Sequence, residues 1–190
     1  YSKDRFKALE YTISCLERMK EYANCQKILV FDGIADQIPQ DWQHIEVPRK
    51  NGDFCWARMW DAGVCVSKYS NILYLDSDRL LPHNFLSQVL DSIKDDTFVF
   101  TSNHYMMTME TSKENCHTFV ESDDQLSLLN EPEFLGVARF EPRSKIPLHQ
   151  PGKNVMSGST AFTKKTYFKL GGVDHWYCGH GAFADTDFHM

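Results

Sequence analysis

Asn71-Ile72-Leu73-Tyr74-Leu75-Asp76-Ser77-Asp78-Arg79-Leu80-Leu81-Pro82 sets an apolar, β-prone run directly ahead of two carboxylates spaced two residues apart. Ile72 to Leu75 is too short for an independent helix and is bounded by turn formers, so it reads as a buried strand. In an open α/β sheet, ligands bind beyond the carboxyl ends of the strands, which is where Asp76 and Asp78 fall. Two carboxylates around the small Ser77 suit a hard divalent cation, which takes oxygen ligands and shares its shell with substrate phosphates. By itself Asp-x-Asp is a common solvated turn; the strand before it and the Leu-Leu-Pro after it favour the metal reading.

The flanking sequence supplies alternating helices and strands. Phe6, Leu9, Ile13, Leu16 and Met19 recur three or four apart, predicting an amphipathic helix over Lys3 to Tyr22. Lys27 to Phe31 reads as a strand closed by the turn Asp32-Gly33, and His44 to Val47 as another before Pro48. Phe54 to Tyr69 has helical spacing and leads into the Ile72 strand; Pro82 to Ile93 predicts the next helix and Thr97 to Thr101 the next strand. After a strand-like Asn154 to Thr163, a short helix from Lys164 to Leu170 stops at Gly171-Gly172. This alternation predicts an α/β fold with a mainly parallel sheet flanked by helices. Residues 103–152 break the rhythm, with Pro132, Pro142, Pro147 and Pro151, and read as a loop-rich insertion rather than a second domain.

The 190 residues suit one domain with a substantial core. A net charge of −6 argues against a dedicated nucleic-acid surface. No apolar run has the length of a membrane span and no signal-peptide pattern opens the chain, so the expected location is cytoplasmic. The six cysteines show no Cys-x-x-Cys pair or zinc-finger spacing, and they read as buried thiols. Lys164 and Lys165 read as a solvated helix face, and His104, His149, His175 and His189 as ordinary surface or core histidines.

Three further segments align with the Asp76 strand. They are Val30-Phe31-Asp32-Gly33; Phe54-Cys55-Trp56-Ala57-Arg58-Met59-Trp60-Asp61-Ala62-Gly63; and a late series. That series comprises Met156-Ser157-Gly158-Ser159-Thr160, Gly171-Gly172-Val173-Asp174 and Gly179-His180-Gly181-Ala182-Phe183-Ala184-Asp185-Thr186-Asp187. In order and spacing the set resembles nucleotide-sugar glycosyltransferases of the GT-A fold. The flavour is family-two-like, near the β-1,4-galactosyltransferase and chondroitin-polymerase-type domains. Asp61 stands where that pattern has Asn, and Ala184 where it has Glu.

The resemblance implies a role for each matching residue. Asp32 would contact the nucleoside, Arg58 would lie near the donor diphosphate, and Asp76 and Asp78 would serve the metal, with Asp78 the direct ligand. Ser157, Gly158 and Ser159 would wall the donor sugar, and Asp185 would act as the base. Trp176, His180 and Asp187 would line the acceptor site. The implied cofactor is Mn2+ or Mg2+, and the implied partners are a UDP-sugar and a carbohydrate acceptor. The family also opens with a strand inside the sheet ahead of the segment matched by Tyr1 to Arg5, so that first strand is expected to be missing here. Self-association is then one way to cover the exposed sheet groups. Two rival functions share the acid pair: a GT-A-like nucleotidyltransferase, and a non-catalytic nucleotide- or sugar-binding relic.

Overall fold

The computed structural model describes residues 3–33, 39–49, 55–100, 103–106, 113–128, 139–142 and 159–173. Within them the chain is a mixed α/β structure. Helix α1 (Lys3–Glu17) and a 3-10 turn (Lys20–Asn24) precede β1 (Ile28–Phe31) and β2 (Gln43–Glu46). Then come α2 (Trp56–Val66), β3 (Asn71–Leu75), α3 (Phe85–Ser92) and β4 (Val99–Phe100). Between β4 and β7 the chain adds β5 (Asn103–Met106), α4 (Lys113–Glu121), α5 (Gln125–Leu128) and β6 (Arg139–Pro142). The described chain closes with β7 (Ser159–Thr163) and α6 (Lys164–Lys169).

Strand β7 organises the sheet, with all five of its residues buried. It pairs antiparallel with β3, from Asn71 opposite Thr163 to Leu75 opposite Ser159, and antiparallel with β4 on its other side. Strands β3 and β4 therefore run the same way, joined through α3, with β7 lying between them in the opposite sense. The mainly parallel sheet predicted above is corrected on this point. Parallel pairing is found between β1 and β2, while the β3–β7, β4–β7 and β5–β6 pairs are antiparallel. The strand–helix–strand alternation did signal parallel neighbours in direction; it carried no signal that a later strand would enter between two of them.

Alternation along each strand splits the core into two layers, because successive side chains leave opposite faces. Leu73, Leu75, Val99 and Ala161 pack with α1, α3 and α4, where Cys15, Leu16, Phe85 and Phe119 are buried. Ile72, Tyr74, Phe98 and Phe162 pack on the opposite face with Trp60 and Val64 of α2 and Tyr167 of α6. In that second layer Phe162 stacks on Tyr167 at 5.2 Å and on Trp60 at 6.0 Å between ring centroids. The Tyr167 hydroxyl donates to the Asp61 carboxylate, which ties α6 to α2. Burial, reinforced by that carboxylate, pushes the Tyr167 phenol far up. Asp61 thus serves as a structural acceptor.

Cysteine usage departs from the all-thiol reading. Cys15, Cys25, Cys65 and Cys116 are free, whereas Cys55, the residue that caps the amino end of α2, is disulfide-bonded. Among the described residues no helix is long and apolar enough to cross a membrane.

The turn after α6 separates two adjacent glycines. Gly171 and Gly172 both have positive φ (89° and 79°), but a Cβ at Gly171 would meet nothing within 4 Å. At Gly172 it would lie 3.0 Å from Asp61 Oδ1 and 3.4 Å from the Tyr167 ring. Gly171→Ala is expected to cost only the left-handed backbone penalty, about 1–2 kcal/mol. Gly172→Ala should cost more, because it also pushes apart the Asp61–Tyr167 pair. Urea unfolding of the two variants checks this, and equal losses would show that the close approach at Gly172 carries no energy.

Candidate functional site

Asp32, Asp76 and Asp78, which follow the carboxyl ends of β1 and β3, all line one cavity of about 710 Å3 that extends along the length of both strands. Each acid is held differently. Asp32 follows β1 and is 5% exposed. Its Oδ2 accepts from Arg49 Nε at 2.5 Å, while its Oδ1 is buried with no hydrogen-bond partner among the described residues. A buried carboxylate oxygen left unpaired is costly, by about 1–3 kcal/mol or more for a charged group. The cavity is therefore short of a donor at this point.

Asp76 follows β3 and has both oxygens engaged. The Tyr74 hydroxyl donates to Oδ1 at 3.1 Å and Arg79 Nη2 to Oδ2 at 2.9 Å. Burial raises the Asp76 carboxyl above its ordinary value, against the pull of the Arg79 guanidinium; the charge of Asp78 adds to the rise. Asp78 is about half exposed, with Arg79 Nε 3.8 Å away, too far for a hydrogen bond. It is the carboxylate with free coordination capacity.

The turn that presents the pair is anchored from α1. Thr12, 2% exposed, accepts from the Arg79 backbone N–H at 2.9 Å. Its hydroxyl proton is shared between Ser77 O at 3.1 Å and Ala8 O at 3.2 Å. On the other side, the register of β7 puts the buried Ser159 opposite Leu75, one residue before Asp76. The predicted donor-wall residue and the predicted metal acids are thus brought to the same end of the sheet.

Arg58 is placed elsewhere. It sits in the first turns of α2, donates from Nη1 to the Pro48 carbonyl at 3.2 Å, and does not line the cavity. The basic residues found beside the acids are Arg79 and Arg49, which sequence reasoning missed. Arg79 had a signal, since it lies three residues after Asp76 within the same turn. Arg49 had none, because it stands 17 residues from Asp32 with no local pattern linking the two. Ser157, Gly158, Trp176, His180, Asp185 and Asp187 lie outside the described residues.

Among the described residues no cluster of three or more His, Cys, Asp or Glu side chains could hold a metal ion. Asp76 and Asp78 supply two carboxylates and no closed cage. Such a pair fits a hard cation of the Mg2+ or Mn2+ type, which completes its shell with water and substrate phosphate oxygens. No protein-family model matches the chain, and no curated protein is significantly similar to it in sequence.

The raised Asp76 carboxyl makes a signed prediction. Unfolded Asp76 ionises near 3.8, before the folded group does, so the native state holds the extra proton in the window between the two values. Stability supplied by that proton is present below about pH 3.8 and is lost as pH rises through the folded value. Asp76→Asn removes the titration. The melting temperature of the parent relative to Asp76→Asn should therefore fall across that window and level off above it. Parallel curves for the two proteins, or a relative gain by the parent, would contradict the assignment.

Proposed function

We propose that this chain is a metal-dependent, inverting glycosyltransferase domain that transfers a sugar from a UDP-sugar to a carbohydrate hydroxyl. The observation that carries the reading is the meeting of Asp32, whose buried Oδ1 has no partner among the described residues, and the Asp76–Asp78 pair at the carboxyl-end side of one cavity. A nucleoside diphosphate has both chemistries such a site would select: N–H and hydroxyl donors for Asp32, and phosphate oxygens to complete a cation shell beside Asp78.

In the proposed reaction the Asp185 carboxylate accepts the acceptor's hydroxyl proton as that oxygen attacks the anomeric carbon. The bond from that carbon to the diphosphate oxygen breaks, and UDP departs with the electron pair. Asp78 would hold a divalent cation, whose bound charge would stabilise the leaving diphosphate. Asp76, fixed by Tyr74 and Arg79, orients the turn that carries Asp78. General-base assistance of this kind contributes about 10²–10⁴ in rate.

One observation favours a second reading, a non-catalytic nucleotide-binding relative: Arg79 already neutralises Asp76. Calorimetry with UDP in Mn2+ and in chelator tests the site, and the expected result is metal-dependent binding that Asp78→Ala removes. Asp185→Asn should then spare UDP binding and lower sugar transfer at least 100-fold, near the bottom of the general-base range. UDP binding that ignores both chelator and Asp78→Ala would defeat the metal reading. Binding without transfer in the parent protein would favour the non-catalytic relative.

A further inference from the structure

We propose, on the reading of Asp76 and Asp78 as cation ligands, that Arg79 is the resident counter-ion of the pair and makes cation capture conditional on the phosphate oxygens of the nucleotide. The site then takes its cation together with the diphosphate and does not hold it beforehand.

The guanidinium is placed against both acids. Its Nη2 donates to Asp76 Oδ2 at 2.9 Å, and its Nε stands 3.8 Å from Asp78 Oδ1. The first is a charge-assisted hydrogen bond; the second is a Coulombic contact, too long to be a hydrogen bond. The other Asp76 oxygen accepts from the Tyr74 hydroxyl at 3.1 Å. An ion approaching Asp76 therefore meets a carboxylate already engaged on both oxygens, one of them by a full positive charge.

The backbone that carries this guanidinium is built in. Its N–H bonds to Thr12 Oγ1 at 2.9 Å, and Thr12 is buried on α1. Two residues further on, Leu81 enters the same buried cluster as Phe85 and Leu86. With the chain fixed on both sides, the pair gives up less side-chain entropy than two long side chains meeting on an open surface. The side chains of Arg79 and Asp76 are 31% and 22% exposed, so salt screens their attraction only weakly.

Charge decides what such a pair can hold. Arg49 answers Asp32 and Arg79 answers Asp76, which leaves Asp78 as the acid whose charge is least compensated. Ions of the Mg2+ type give up water reluctantly and are held by one or two carboxylates together with substrate phosphates. One largely uncompensated carboxylate beside a guanidinium is a poor site for the bare ion, which that guanidinium repels. A diphosphate reverses both effects. Its oxygens complete the shell, and its negative charge is attracted by the same guanidinium. Arg79 thus acts with opposite sign on the free ion and on the diphosphate. Loss of its charge should favour the first and disfavour the second.

The probe is Mn2+, followed by the loss of its free-ion paramagnetic resonance signal, with and without UDP. Arg79→Gln removes the charge and keeps an amide donor; Arg79→Lys keeps the charge. Mn2+ alone should bind Arg79→Gln about tenfold or more tightly than the parent, the order of one charge-assisted hydrogen bond. Arg79→Lys should stay close to the parent. In chelator, UDP should bind Arg79→Gln more weakly than the parent. The factor by which UDP tightens Mn2+ should shrink in Arg79→Gln, and by linkage so should the factor by which Mn2+ tightens UDP. A turn merely damaged by the substitution loses Mn2+, so a gain in affinity cannot come from misfolding. Mn2+ bound no more tightly by Arg79→Gln than by the parent, and lost in Asp78→Ala, would overturn the role of Arg79 while leaving the metal site standing. Tightening by Arg79→Lys equal to that by Arg79→Gln would show that the guanidinium blocks the acids by shape, and would overturn the counter-ion role. Mn2+ bound by neither parent nor Arg79→Gln, with or without UDP, would remove the metal reading and the role of Arg79 with it.

Discussion

The pairing of β7 with β3 is the contact on which the rest of the structure depends. Its register fixes Leu75 opposite Ser159, and thereby fixes where the chain leaves the sheet to form the Asp76–Arg79 turn. The same strand separates the two core layers, sending Ala161 to the α1 and α3 side and Phe162 to the α2 and α6 side. A slip of one residue would exchange those faces and move Ser159 away from the acids. Fully buried on every residue, β7 has no solvent-tolerant register to slip into.

Electrostatics at the strand ends follow from this frame. Three carboxylates converge on one cavity, and two arginines answer them unequally. Arg49 covers one oxygen of Asp32, Arg79 engages Asp76 closely, and Asp78 keeps its capacity. Arg79 thus separates the roles of two acids that look equivalent in the sequence. It neutralises the buried member, which would otherwise resist ionisation, and leaves the exposed member to meet a ligand.

Much of this was legible in the residues. The spacing of apolar side chains located α1, α2 and α3, and the short apolar runs located β1, β3 and β7, because period and length report burial directly. Strand direction was not legible: an apolar run buried on both faces looks the same whichever way it runs, so β7 entered the sheet against the parallel expectation. Between β4 and β7, α4 and β6 lack a clean period. Phe119 and Val120 nevertheless bury themselves against α1, a contact set by tertiary packing. The acids of the site were legible because Asp76 and Asp78 end a strand. The partners of Asp32 and Asp61 were not, since Arg49 and Tyr167 reach them across folds of the chain that no local pattern encodes.

The disulfide at Cys55 bears on the same end of the molecule. Cys55 caps the amino end of α2 without a side-chain hydrogen bond, and Trp56 beside it lines the cavity and meets the Tyr74 ring edge-on at 6.2 Å. The covalent link therefore acts at the rim of the cavity. It also places the covalent constraint where α2 begins, at the helix that bridges β1 to β3. The cavity rim is thereby fixed at the start of α2, while the starts of β1 and β3 are tied by the bonds of Gln26 to Lys68 N–H and Val66 O.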